Sequence, residues 1–255
     1  MKVVTFNIRY DNPEDGKNAF MHRRPIIQKA IESRNPDIIG LQEVLPHMAD
    51  WLKKTFCDYY FIGHGREADF SGEQVLIAYK KTEYNLHYAE TFWLSPSPFV
   101  PGSRYKGQSD CPRTCIHAVL EDKAHNLFRI CNTHLDHAGK NARRRALKQI
   151  LHTVLSTRMS EKIPFILMGD FNAEPEQSEL EPLYFPEFAH IALCDITAGS
   201  GGTFHDYGTI KAEKIDYIFT CSAFSAKSCT LWKDCENGVY ISDHYPLEAE
   251  VVFSA

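Results

Sequence analysis

Six apolar runs in this chain end in, or are punctuated by, side chains that bind cations and move protons. "VVTFN" ends at Asn7, "DIIGLQE" at Glu43 and "LFRICNTH" at His134. "FILMGDFN" delivers Asp170 and Asn172, "KIDYIF" places Asp216 early in a strand, and "ISDHYPL" delivers Asp243 and His244. Ligand sites in layered α/β proteins favour strand ends and the loops leaving them. On one shared rim these residues would gather four carboxylates, two carboxamides and two imidazoles. Two carboxylates roughly 4 Å apart repel by about 4 kcal/mol at an effective dielectric near 20, so such a rim takes up protons or binds a cation. A hard divalent ion such as Mg²⁺ suits oxygen ligands and needs only one or two carboxylates. It can hold a phosphate oxygen and neutralise the charge that builds up during displacement. A remaining carboxylate can orient water, and a histidine paired with an aspartate can hold a phosphate oxygen as imidazolium.

Taken singly, each residue has a plainer reading. Asn7, Asp170 and Asn172 are common turn formers. Glu43 could cap the helix that opens at Pro46, and Asp216 could pair with Lys211 or Lys214 at the surface. His134 and His137 could be satisfied surface histidines. These readings weaken together, because all six groups fall in order at the ends of predicted strands.

The elements that must position them are legible from periodicity. Runs rich in Val, Ile, Phe and Tyr, bounded by turn residues, predict strands at 2–9, 37–42, 59–63, 74–80, 85–93, 115–120, 127–134, 164–169, 215–220 and 246–253. Helices are predicted at 22–34, 46–55 and 141–159, the last from Ala146, Leu147, Ile150, Leu151, Val154 and Leu155. Several strands are nearly all apolar, hence buried on both faces. That pattern predicts layered sheets covered by helices in place of a simple doubly wound sheet. The stretch 94–110 reads as one long loop, and loops of that length are often functional. The glycine-rich segment 197–208 lacks the lysine of a P-loop and reads as an ordinary connection.

The chain has 255 residues, enough for one large domain, and a single domain over 1–255 is expected. It is 44% hydrophobic and 24% charged, ordinary for a globular protein. No apolar run approaches the ~20 residues of a membrane helix, and because Met1-Lys2 leads directly into "VVTFNIR" a cleaved signal segment is not expected. With no Cys-x-x-Cys pair among its eight cysteines, the chain is expected to be cytoplasmic with reduced thiols. A zinc site on Cys111 and Cys115 lacks a second ligand pair. The net charge of −5 weighs against a non-specific grip on nucleic acid.

"TFNIR", "LQEV", "NTHLDH", "GDFNAEP", "KIDYIF" and "SDHYPL" resemble the successive motifs of the endonuclease/exonuclease/phosphatase superfamily. The resemblance runs from Val3 to Pro246, and "FNIRYDNPEDGKNAFMHRRP", "GHGREADFSGEQ" and "TFWLSPSPFVPGS" look like a bacterial subgroup of small single-domain members that includes sugar-phosphate phosphatases. It implies a four-layer α/β sandwich with two central mixed sheets flanked by helices. It also implies Mg²⁺- or Mn²⁺-dependent hydrolysis of a phosphate ester by in-line attack of water. Carried over, Glu43 would be the main metal ligand with Asn7 beside it, and Asp243 a further metal or supporting carboxylate. Asp170 would orient the water, and Asn172 and His134 would hold non-bridging oxygens. His244 would stabilise the charge on phosphorus, its ring fixed by Asp216.

Substrate choice lies in the loops. Arg113 is the better candidate for a substrate-phosphate contact, and Arg143, Arg66 and Trp93 are weaker ones. The other basic residues of 139–149 spread around their helix and read as a solvated face. A small phosphorylated substrate is favoured; a nuclease and a non-catalytic binding module are the alternatives. Asp195, outside every motif, is expected to tolerate substitution.

Overall fold

The computed structural model describes residues 1–155 and 163–254. The last four residues of the helix predicted at 141–159 lie outside this range. Two six-stranded mixed sheets stack face to face. In chain order the strands are β1 (Lys2–Asn7), β2 (Ile38–Val44), β3 (Tyr59–Ile62), β4 (Gln74–Lys80), β5 (Tyr84–Trp93), β6 (Thr114–Asp122), β7 (Leu127–His134), β8 (Phe165–Asp170), β9 (Cys194–Asp195), β10 (Asp216–Thr220), β11 (Phe224–Leu231), β12 (Cys235–Glu236), β13 (Val239–Tyr240) and β14 (Leu247–Phe253). The first sheet runs β11-β14-β1-β2-β4-β3 and the second β5-β6-β7-β8-β10-β9, while β12 and β13 form a small hairpin. Each large sheet carries one parallel pair, β1 with β2 and β7 with β8.

Helices α1 (Phe20–Arg34) and α2 (Pro46–Thr55) cover the first sheet, and α3 (Lys140–Leu155) covers the second. The result is the four-layer α/β sandwich. Alternation within a strand explains it: Val3, Ile38 and Ile77 face the second sheet's core, while Val4, Ile39 and Ala78 pack toward α1 and α2. Proline opens α2, and Asn35, in the left-handed conformation, ends α1 just before Pro36.

A buried polar network crosses the interface between the sheets. Asn132 Nδ2 donates to the carbonyls of Leu41 (3.0 Å) and Leu76 (2.8 Å), and its Oδ1 accepts from Gln42 Nε2 (2.7 Å). Gly40 sits against it; a Cβ there would lie 2.8 Å from the Asn132 side chain. The network fixes how β7 sits over β2 and β4. Strand β11 and the β12–β13 hairpin differ from expectation. β11 is an edge strand with mostly exposed side chains, so "SAKSCT" shows no apolar alternation. The hairpin turns on Asn237-Gly238, both at positive φ.

Asn132→Ala removes the side-chain donor to two buried carbonyls, those of Leu41 and Leu76, at about 1–3 kcal/mol each, while Gln42 Nε2 keeps Thr5 Oγ1 and the Gly40 carbonyl. A loss of several kcal/mol in thermal or denaturant unfolding is expected. A change under about 1 kcal/mol would show that the interlayer network does not hold the sheets together.

Candidate active site

Strand direction explains why distant residues meet. Parallel pairing puts the carboxyl ends of β1 and β2 side by side, with Asn7 opposite Gln42. The same holds for β7 and β8, with His134 opposite Asp170. β10 is antiparallel to β8, so its first residue, Asp216, pairs with Asp170. β14 is antiparallel to β1, so the segment entering it carries Asp243 and His244 to the same edge. Gly169 makes the close approach possible: at φ 146 a Cβ would lie 2.0 Å from the Thr133 carbonyl oxygen.

At the centre lies Asp170, fully buried. Two imidazoles face its Oδ2, His134 Nε2 at 3.5 Å and His244 Nε2 at 3.8 Å. His244 Nδ1 is 2.8 Å from Asp216 Oδ2. Burial opposes charge on His244, but Asp216, Asp170 and Asp243 outweigh it and push the imidazole up to about 10. His134 goes the other way. Burial, then the guanidinium groups of Arg113 and Arg66, hold it well below the ordinary histidine value. Burial and the neighbouring Asp216 push Asp170 up to about 7. Burial also raises Asp243, and Glu43 adds to the effect.

Asn7 bridges the acids. Its Nδ2 donates to Glu43 Oε1 (2.9 Å) and Asp170 Oδ2 (3.0 Å), while Arg9 N donates to its Oδ1 (3.0 Å). The amide thus turns its donor to the carboxylates and spends its oxygen on the backbone. In that orientation Asn7 spaces Glu43 from Asp170. Glu43 Oε2 accepts from Tyr10 N at 3.0 Å, and Glu43 does not cap α2. Glu43 sits at a bulge in the β2–β4 pairing with φ 61. Arg9 (φ 56) and Asn172 (φ 49) are likewise left-handed, and all three face one pocket. Such conformations cost of order 1–3 kcal/mol each and persist where the surroundings dictate them. Asn172 N donates to Asp170 Oδ1 (2.9 Å), and its side-chain amide donates to the Leu135 carbonyl (3.0 Å).

The pocket measures about 440 Å³. Glu43, His134, Asp170, Asn172, Asp243 and His244 line it, as do Arg66 and Arg113. Asp216 stands behind His244. Trp93 and Arg143 do not line it. The Trp93 indole is buried and donates to the Arg66 carbonyl at 2.6 Å, so it supports the segment bearing Arg66. Arg143 is buried in a 2.7 Å pair with Glu179 and donates to the carbonyls of Asp136 and His137. Further along α3, Arg144 pairs with Glu181 (2.6 Å) and Lys148 with Glu187 (3.1 Å). These partners lie in 178–191, so this cluster is tied to acidic side chains and is not a purely solvated face.

Sequence reasoning missed Arg9, Glu73 and Phe204 in the wall. Arg9 follows Asn7 within "TFNIR", and Glu73 holds Arg66 through 2.8 and 2.9 Å contacts. Phe204 belongs to the segment read as an ordinary connection. Its ring lies 5.0 Å from His244, and neighbouring Thr203 Oγ1 accepts from Asp216 N (3.2 Å), so the loop backs the His–Asp pair. Asp195 is not inert either: it accepts from Thr197 N and Oγ1 (2.8 and 2.5 Å) and lies 3.7 Å from Lys214. All eight cysteines are free; Cys115 is buried while Cys111 is in the pocket wall. Asp170, Asp216 and His244 present ligand atoms within 4.8 Å of one another, a spacing that a metal ion could use.

Fold and site together define a phosphoesterase of the layered α/β type. Residues 4–244 match the Endonuclease/Exonuclease/phosphatase family, and the chain belongs to it. A family member from Bacteroides vulgatus is 32% identical, with TM-score 0.90 over 99% of this chain and 98% of that one. A mannosyl-6-phosphatase from Bacteroides thetaiotaomicron VPI-5482 is 27% identical, with TM-score 0.87 over 99% of this chain and 100% of that one. TDP2 from D. rerio, complexed with a single-stranded DNA product, shares the fold at 17% identity and TM-score 0.77, over 99% and 98% of the two chains.

Breaking the buried Arg143–Glu179 pair with Arg143→Ala should cost about 3–5 kcal/mol. Arg144→Ala, at a half-exposed pair, should cost under about 1 kcal/mol. Arg143→Ala with wild-type melting but a raised KM would return Arg143 to the substrate pocket.

Proposed function

We propose that this chain hydrolyses a small phosphate ester, of the sugar-phosphate kind, with the help of a divalent cation, Mg²⁺ or Mn²⁺. The observation that carries this reading is the convergence of His134 and the Asp216-paired His244 on one buried carboxylate, Asp170, inside a pocket of about 440 Å³. The size suits a small ligand. Three basic side chains of α3, Arg143, Arg144 and Lys148, are engaged with Glu179, Glu181 and Glu187, which weighs against a track for a polynucleotide there. The likeness to a mannosyl-6-phosphatase supports the same substrate class.

The donor set fits a hard cation. Glu43 and Asp243 offer carboxylate oxygens close enough that Glu43 adds to the upward shift of Asp243, and a cation there relieves that repulsion. When bound, the ion supplies positive charge to a phosphoryl oxygen. Asp170, at about 7, is poised as a general base and orients the attacking water. The water oxygen bonds to phosphorus as the ester P–O bond breaks, Asp170 takes the water's proton and later returns it to solvent, and the leaving oxygen takes a proton from a solvent water and departs as the alcohol. His244 donates from Nε2 to a phosphoryl oxygen while Asp216 fixes its ring. Asn172 and neutral His134 hold the remaining non-bridging oxygens.

The test is a panel of sugar phosphates, nucleotides, bis(p-nitrophenyl) phosphate and oligonucleotides, with and without metal. Activity should vanish on exhaustive chelation and return with Mg²⁺ or Mn²⁺. Asp170→Asn and His244→Ala should fold and lose about 10²–10³-fold in kcat, with a smaller loss for Asp216→Asn. Asp110→Asn, at a fully exposed side chain, is the neutral control. Wild-type kcat in both main variants contradicts the assigned site. Oligonucleotide cleavage that weakens steeply with salt, without phosphate release from sugar phosphates, makes the protein a nuclease.

A further inference from the structure

Three arginines line the pocket, and Arg113 has the most donors to spare: one buried nitrogen of Arg66, Nε, also lacks a hydrogen-bond partner, against two in Arg113. Arg66 is held by Glu73, and Arg9 by Asp15 through two 3.1 Å bonds. Arg113 is different. It is only 5% exposed, yet its Nε and Nη1 have no hydrogen-bond partner. Its Nη2 meets His137 Nδ1 at 3.0 Å. The nearest carboxylate, Asp136, lies 3.8 Å from Nε and already accepts from Ser109, Ala138 and Gly139. A buried guanidinium short of partners is costly unless an anion meets it.

Its position says which anion. Arg113, Arg66, His134 and His244 line one pocket with Asp170, whose Oδ2 lies 3.5 Å from His134 Nε2 and 3.8 Å from His244 Nε2. Glu43 and Asp243 line the same pocket and make part of its wall acidic, Glu43 also bordering the small cavity beside Arg113. A phosphate ester bound there turns its oxygens to the cationic groups and to a cation held by the acids. A diester has two terminal oxygens and one negative charge. A monoester has a third terminal oxygen and, as the dianion, a second charge.

Resting on the phosphoesterase reading above, we infer that Arg113 is a specificity-determining residue that takes the additional terminal oxygen of a phosphomonoester, so that this enzyme selects monoester dianions over diesters. Guanidinium suits the task because its fork offers two donors to one phosphoryl group, which an ammonium does not reproduce. A site built to hydrogen-bond a group discriminates strongly against analogues that lack it. The competing explanation is solvent: an adjoining cavity of about 10 Å³ has room for one water beside Arg113.

The experiment compares 4-nitrophenyl phosphate with methyl 4-nitrophenyl phosphate, which share a leaving group. Arg113→Gln should lower kcat/KM for the monoester by about 100-fold or more, and Arg113→Lys by about tenfold. The diester should lose much less, so the monoester-to-diester ratio falls at least about tenfold in Arg113→Gln. Inhibition by inorganic phosphate should weaken in parallel, and Arg104→Gln, exposed in the same long loop, should change neither ester. An unchanged ratio, from equal losses or from none, overturns the proposal and leaves Arg113 to its water. A loss confined to substrates carrying a second, remote phosphate also overturns it. If both variants fail to fold, the wild type still decides: inorganic phosphate should inhibit at least about tenfold better than dimethyl phosphate, and equal inhibition contradicts the inference. Hydrolysis of neither ester with any metal sinks the underlying function, whereas hydrolysis of both without selectivity sinks only this step.

Discussion

Carboxylates brought together out of water repel one another, and the rest of this structure is arranged around that repulsion. Asp170, Asp216 and Asp243 are buried, with Glu43 beside them. The chain offsets their charge locally. His244 sits 2.8 Å from Asp216, Asn7 donates to both Glu43 and Asp170, and Arg9 lies 3.7 Å from Asp243. None of these groups could stay in place on a flexible loop, because each compensates a neighbour only within hydrogen-bond or ion-pair reach. Ends of central strands provide the rigidity.

The scaffold is built to the same end. Two sheets meet through a mostly apolar core, and the Asn132–Gln42 connection fixes their relative placement one residue from Glu43 and two from His134. The bulge that turns Glu43 into a left-handed conformation interrupts β2 where its side chain must enter the pocket. Gly169 lets β8 approach β7 so that His134 and Asp170 lie opposite each other. Stability and chemistry therefore draw on the same few positions.

Much of this was legible in the sequence because it is local. Apolar runs ending in Asn7, Glu43, His134 and Asp170 state both the strand and its polar tip, and the final two motifs name Asp216 and His244, which the fold brings to the same edge. What stayed hidden depends on tertiary neighbours. Arg143 follows "NTHLDH" closely, yet its partner Glu179 is 36 residues away in a short irregular helix. Trp93 reads as a candidate substrate contact until the Arg66 carbonyl is seen to take its indole N–H. The segment 197–208 has no catalytic residue type at the key position, since Phe204 acts through ring packing on His244. Edge strand β11 lacks an apolar face because its side chains are largely exposed.

On the proposed reading His244 is held by Asp216 for the phosphoryl group, while Glu43 and Asp243 would hold a divalent cation. Direct titration of metal-free protein with Mn²⁺ tests this division, in wild type, Glu43→Gln and His244→Ala. The account predicts saturable binding that Glu43→Gln weakens by about tenfold or more and His244→Ala alters by less than about threefold. Binding unaffected by Glu43→Gln but lost in His244→Ala would put the ion on the Asp170–Asp216–His244 cluster and contradict it.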